Sequence, residues 1–182
     1  MDRSELERWL ERLHDQSWGW ALACCGRDRE LAEEALQSAY LRILSGKARF
    51  DDRSAIRTWV FGVIRRTALE ENRRRRMRQA REPSDEDATG RAVDPAVGAE
   101  VAAERSELRE SLVAALSTIS TRQREVLELV FYHDMTIEEA AGVMAVSVGS
   151  ARTHYARGKK ALAAALVQSR RWPALSAREE TR

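Results

Sequence analysis

Apolar residues recur at helical spacing along almost the whole chain, and this constrains the fold more than any other feature. Leu6, Trp9, Leu10, Leu13 and Trp18 fit one 3.6-residue stripe. Leu31, Ala35, Leu36, Ala39, Tyr40 and Ile43 form a second. It starts near Asp28 and fades at Ser45-Gly46, where a glycine suits the end of a helix. Phe50 to Ser54 reads as a loop. Ile56, Trp59, Val60, Val63, Ile64 and Ala68 make a third stripe that runs into an arginine block. The pattern returns at about Val101, with Leu108, Leu112, Ala115, Leu116 and Ile119, then Val126, Leu127, Leu129 and Val130. No stretch alternates with the period of a strand, so the chain reads as all-α. The segment Glu82 to Gly98 breaks the period. It holds Pro83, Pro95, Gly90, Gly98 and Ser84 among acidic residues, and reads as a flexible linker. The expected architecture is two small helical units on one tether, followed by a loosely ordered tail from Trp172-Pro173.

Charge is informative through its distribution. The 182 residues carry a formal net charge of only +2, but it is strongly segregated. Arg65 to Arg81 holds eight arginines against Glu70 and Glu71. Glu82 to Glu110 holds nine acids against three arginines, and Ser147 to Arg171 holds six bases and no acid. Two basic patches separated by an acidic stretch suit two contacts with a polyanion. Hydrophobic content of 43% allows a core. A unit of about 70 residues has a thin one, so two such units would lean on each other or on a partner.

Several classes find no support. Cys24 and Cys25 are adjacent, which disfavours a disulfide between them; they read as two small apolar residues in a helix, with a redox sensor as the minor alternative. No Cys/His cluster has metal-ligand spacing, His14, His133 and His154 are scattered, and neither a Ser/His/Asp arrangement nor a phosphate loop is present. The expectation is no catalysis, cofactor, metal or small-molecule substrate. No apolar run approaches about 18 residues and the acidic start lacks a signal-peptide pattern, which reads as a soluble cytoplasmic protein without a membrane segment.

Near the C-terminus, Thr136-Ile137-Glu138-Glu139 is a capping box that opens a short helix through Met144. Ala145-Val146 allows only a tight turn, and Ser147 can cap a second helix from Val148 to about Val167. Two helices so joined form a helix-turn-helix, whose second helix enters the major groove. Ala151, Tyr155, Leu162 and Leu166 would pack inward. The N-terminal turn would offer Ser147, Ser150, Thr153 and His154 to the duplex, with Arg152 and Arg157 choosing between guanine and phosphate and Lys159 and Lys160 meeting phosphate. An amphipathic hairpin with a merely solvated basic face shows the same spacing.

Upstream, Ile56 to Arg76 combines aromatics with arginines on one helix. That suits single-stranded nucleic acid, with bases on aromatic or guanidinium planes and phosphates on arginines. Trp59 and Phe61 as core residues, with the arginine run a solvated end, is the alternative reading.

Three stretches, in order, resemble a bacterial sigma-70 family RNA polymerase sigma factor of the extracytoplasmic-function (ECF) type. Asp28 to Leu44 looks like the polymerase-clamp-binding helix of region 2, Ile56 to Arg76 like its −10-element helix, and Leu108 to Leu162 like region 4, which binds the −35 element. The resemblance implies region 2 over residues 1–80, a linker over 81–103 that threads the polymerase, region 4 over 104–170 and a tail over 171–182. It implies a promoter-specificity factor with core RNA polymerase and promoter DNA as partners, and an anti-sigma factor as a further one. On it, Glu33, Glu34, Gln37, Ser38, Tyr40 and Leu41 would bind polymerase, and Trp59, Arg65, Arg66, Asn72, Arg73 and Arg74 would bind the melted −10 strand. There are departures. Ser38 stands where the family often has an acidic residue, Gly62 where it has a basic one, Arg66 where it has asparagine, and Ala145 where the turn usually has glycine. The competing reading is a conventional helix-turn-helix regulator with a helical sensor or dimerisation domain, which would bind duplex DNA without polymerase.

Overall fold

The computed structural model describes residues 2–81, 112 and 114–168. The linker reading at Glu82 to Gly98, the start of the helical pattern proposed from about Val101 and the tail from Trp172 lie outside them; of that pattern, residues 114–118 are helical and Ala115 and Ile119 are buried. The described residues form no strand. Their long helices are α1 (Arg3–Cys24), α2 (Arg29–Leu44), α3 (Ile56–Arg81), α4 (Thr121–Phe131), α5 (Ile137–Met144) and α6 (Val148–Gln168).

Local chemistry sets the helix ends. Asp2 and Glu5 close a capping box on α1, and Asp28 caps α2 by accepting from the Leu31 N–H at 3.0 Å. The second oxygen of Asp28 takes an ion pair from Arg75, so one carboxylate both starts α2 and ties it to α3. Past Leu44 the chain turns at Ser45 and Gly46, the glycine at φ 73°. Ser120 and Gln123 form a further capping box on α4, an S-x-x-Q signal that the sequence reading passed over.

Helices α1, α2 and α3 pack on one another as a bundle around Leu10, Leu13, Trp20, Leu36, Ile43, Val60 and Ile64. Helices α4, α5 and α6 form the second unit, with Val126, Leu129, Met135, Ala140, Val143 and Met144 inside. Gly158 lets α6 approach α4. A Cβ there would stand 3.2 Å from Gln123 Cβ and 3.3 Å from its carbonyl oxygen. Two helical units are thus present, but they do not hang free of each other. One continuous hydrophobic core runs from Leu10 to Met144 across the boundary, and α5 lies directly on α3.

Candidate nucleic-acid interface

Thr136 and Glu139 cap α5 reciprocally. The Glu139 N–H donates to Thr136 Oγ1 at 3.1 Å, and the Thr136 N–H donates to Glu139 Oε2 at 2.8 Å. The turn follows at Ala145, which adopts φ 53° and ψ 49°. The turn therefore keeps its left-handed geometry with a side chain in place of the usual glycine. Ser147 then accepts from the Ser150 N–H at 3.1 Å and starts α6. Ala151 is fully buried under the turn, with Tyr155 half-buried behind it.

The opposite face of α6 is open. Ser147, Ser150, Arg152, Thr153, Arg157, Lys159 and Lys160 are exposed, and His154 is half-buried. Arg152 donates to Glu138 of α5 at 2.9 Å, a contact across the turn that fixes where its guanidinium stands. Glu138 is held below the usual carboxylate range by its own backbone amide and then by Arg152. Thr153 spends its hydroxyl on the Gly149 carbonyl at 2.9 Å. Lys159 lies over the Tyr155 ring, 5.3 Å from its centroid.

The residues expected to meet the −10 strand are not brought together on one open face. Arg66, Arg73 and Arg74 are exposed, and Arg74 pairs with Glu71 at 2.9 Å. Arg73 borders a cleft of about 680 Å³ between the end of α1, α3 and α4, beside Arg76 and Arg124. Trp59 is half-buried and tilts against Phe50 at 5.3 Å. Asn72 donates back to the Ala68 carbonyl at 2.9 Å. Arg65 is buried: its side chain donates to both oxygens of Glu125 on α4, at 3.0 and 3.1 Å. Sixty residues separate the two, so no local pattern announces Glu125 as its partner.

On α2, Leu31, Ala32, Ala35, Leu36, Ala39 and Ile43 face the bundle. Glu33, Glu34, Gln37 and Leu41 form an exposed stripe, with Ser38 half-buried beside it. Gln37 donates to Glu33 at 3.3 Å, and Leu41 is 68% exposed, an apolar side chain that nothing within the bundle covers. Tyr40 turns inward against His14, so its ring belongs to the packing of α1 on α2. Cys24 and Cys25 are free thiols; burial is the main cause that raises both, Cys25 to about 12. Neither is an activated thiolate. No helix of the described residues is long and apolar enough to cross a membrane.

Residues 9–78 match the family model for Sigma-70 region 2, and residues 109–162 that for Sigma-70, region 4. The chain is 28% identical over 138 residues to the ECF RNA polymerase sigma factor SigX of Bacillus subtilis (strain 168), covering 75% of this chain and 71% of SigX. It is 26% identical over 147 residues to SigC of Mycobacterium tuberculosis (strain CDC 1551 / Oshkosh), covering 80% and 75%. SigG of the same organism is 30% identical over 141 residues, but the match spans only 38% of SigG. Among solved structures, the sigma factor RpoE in complex with the anti-sigma factor NepR, from Bartonella quintana, superposes with a TM-score of 0.70 at 18% identity, covering 90% of this chain and 97% of that one. CnrH, in complex with the cytosolic domain of CnrY, superposes with a TM-score of 0.63 at 20% identity, covering 92% and 90%. With an all-helical region 2, a region 4 that ends in a helix-turn-helix, and matches to both regions in order, the chain belongs to the sigma-70 family of RNA polymerase sigma factors, in its ECF group.

Proposed function

We propose that this chain works in the cytoplasm as a non-catalytic subunit that gives core RNA polymerase its promoter specificity. In this reading α6 holds −35 duplex, with Ser147, Ser150, Arg152, Thr153, His154 and Arg157 towards base edges and nearby phosphates and with Lys159 and Lys160 on the backbone. Helix α3 takes the melted −10 strand through Trp59, Arg65, Arg66, Asn72, Arg73 and Arg74. The exposed stripe Glu33, Glu34, Gln37, Ser38 and Leu41 of α2 docks on the polymerase clamp, with Tyr40 supporting it from within. The division into region 2 over 1–80, a linker over 81–103, region 4 over 104–170 and a tail over 171–182 follows the same reading. RpoE was solved with the anti-sigma factor NepR, and CnrH with the cytosolic domain of CnrY, which supports a protein partner of this kind for this chain too.

The observation that carries the proposal is the outward face of α6. A buried Ala151 and a half-buried Tyr155 fix the helix against the turn, and its other side presents basic and neutral groups and no acid, with Arg152, Arg157, Lys159 and Lys160 all exposed. A segment without acid from Ser147 to Arg171 is what a phosphate-lined groove requires. The test is in vitro transcription with core polymerase on a genomic fragment library, followed by mapping of the 5′ ends. Initiation from a recurrent pair of elements is the expected result. Strong duplex binding by the chain alone, with no polymerase-dependent initiation, would instead support a conventional regulator.

A further inference from the structure

The seam between the two units is tight along part of its length and open at one end. Where α5 lies on α3, the Val143 carbonyl oxygen stands 3.9 Å from where Gly62 would carry a Cβ. Towards the end of α3 the seam widens into the cleft of about 680 Å³, walled by the end of α1, the second half of α3 and the N-terminal part of α4. That volume lies within the roughly 300–1,000 Å³ of sites that hold small molecules.

Charge in the cleft is unevenly committed. Its two carboxylates are engaged by arginines that do not line it. Glu125 accepts from Arg65 at 3.0 and 3.1 Å, and Glu128 pairs with Arg27 at 3.5 Å. Cys24 and Cys25 in the wall are neutral, because burial pushes both thiols up. Arg73, Arg76 and Arg124 complete the charged lining, and their side chains form no hydrogen bond or ion pair among the described residues. Arg124 lies near enough to Glu128 to favour its ionised form but does not bond to it. The Arg124 Nε is moreover buried with no hydrogen-bond partner. A buried donor without an acceptor weakens a fold, most of all in a charged group, and an anion beside Arg124 would supply the acceptor.

The remaining lining narrows the class of anion. Three guanidinium groups in one cleft call for a ligand with more than one negative charge, and their planar forks match phosphate oxygens. Leu69, Met77 and Ala80 offer apolar surface that inorganic phosphate would leave unused. Asn72 spends its amide N–H groups on the Ala68 and Cys24 carbonyls, at 2.9 and 3.5 Å. Its Oδ1 is left to accept from a hydroxyl or amino group. A nucleotide carries all three features: several phosphate charges, a ring with an apolar face, and hydroxyl and amino donors.

We propose that the cleft between α1, α3 and α4 is a binding site for a nucleoside polyphosphate, with its phosphates on Arg73, Arg76 and Arg124 and its nucleoside against Leu69, Met77 and Asn72. Arg76 and Arg124 belong to neither DNA-facing set proposed above. Because the walls come from both units, the bound ligand joins them and stabilises the folded chain by mass action.

The full chain is titrated by calorimetry at physiological ionic strength with ADP and GDP, with the corresponding nucleosides, and with pyrophosphate. At least one nucleotide is expected to bind and to raise the melting midpoint, with its nucleoside and pyrophosphate each weaker by about tenfold or more. Arg76→Ala and Arg124→Gln are each expected to weaken nucleotide binding by about tenfold, the loss of one charge-assisted contact. Arg76 is exposed, so its replacement does not threaten the fold. Arg78→Ala removes the same charge from α3 outside the cleft and is expected to leave binding unchanged. No nucleotide binding at millimolar concentration overturns the site. So does an equal loss in Arg78→Ala, which would mark diffuse attraction to an arginine-rich helix. Pyrophosphate binding as tightly as the nucleotides overturns the assignment of the ligand class.

Discussion

Ala145 holds φ 53° and ψ 49° between the two helices of the helix-turn-helix, where a Cβ is strained and glycine is not. Ala145→Gly is expected to stabilise region 4 by about 1 kcal/mol, the usual cost of a left-handed alanine, although glycine also has more freedom to lose in the unfolded chain. A urea midpoint that does not rise would show that the turn relaxes the strain by other means. Gly158 behaves in the opposite way. In an open helical position alanine would be favoured by up to about 1 kcal/mol. Here its Cβ would press on Gln123, including its backbone oxygen, and that atom has no rotamer to move to. Gly158→Ala is therefore expected to destabilise region 4 by about 1–3 kcal/mol, as overpacking does, measured by the same denaturation. The sequence marks Ala145 as the residue to question through the resemblance, because the family usually has glycine at that turn. It gives no such hint for Gly158, whose role depends on α4, more than thirty residues away.

Capping chemistry made the helix-turn-helix legible as an element. Thr136 and Glu139, the two-residue turn and Ser147 are local signals, each satisfied within three residues, and the observed bounds of α5 and α6 follow them. What α6 does with its exposed face is a matter of chemistry at its first three turns. Arg152 and Arg157 are the guanidinium groups placed there. Replacing both by alanine is expected to weaken −35 duplex binding by the polymerase holoenzyme by roughly 1–3 kcal/mol for each arginine that reads a base. Binding unchanged within error would remove them from the interface, and an equal loss on every duplex sequence would assign them to phosphate. Helix α3 shows the limit of element-scale reading. Its mixture of aromatics and arginines suits single-stranded DNA and equally suits a packed helix. The structure divides the set, with Phe61 and Arg65 inside, Trp59 at the margin, and Arg66 and Arg73 outside.

Across the whole molecule, the seam couples pH to domain contact through His133. Burial holds its pKa down at about 4, with Arg57 pushing the same way and Asp134 opposing, while Trp20, Phe61 and Tyr132 enclose the ring. In the unfolded chain the imidazole takes its proton near pH 6.5, so between that value and about 4 the unfolded state binds more protons and the closed fold loses stability as pH falls. The loss approaches about 3 kcal/mol at the acid end of that window. Glu128, raised by burial, acts in the other sense, so the readout is the difference between the parent and His133→Phe. Urea midpoints at pH 7.5, 6 and 5 are expected to fall more steeply for the parent, and parallel slopes would show that His133 opens before it titrates. The sequence by itself determined the helical class, the two units, the acidic stretch between the basic patches and the helix-turn-helix. All of these rest on periodicity, capping and composition, which act over a few residues. Only the tertiary structure decided that the units share one core, that Arg65 meets Glu125 sixty residues away, and that α5 covers Gly62. Those contacts depend on complementary surfaces brought together by packing, and periodicity along the chain carries no record of which apolar or charged face meets which.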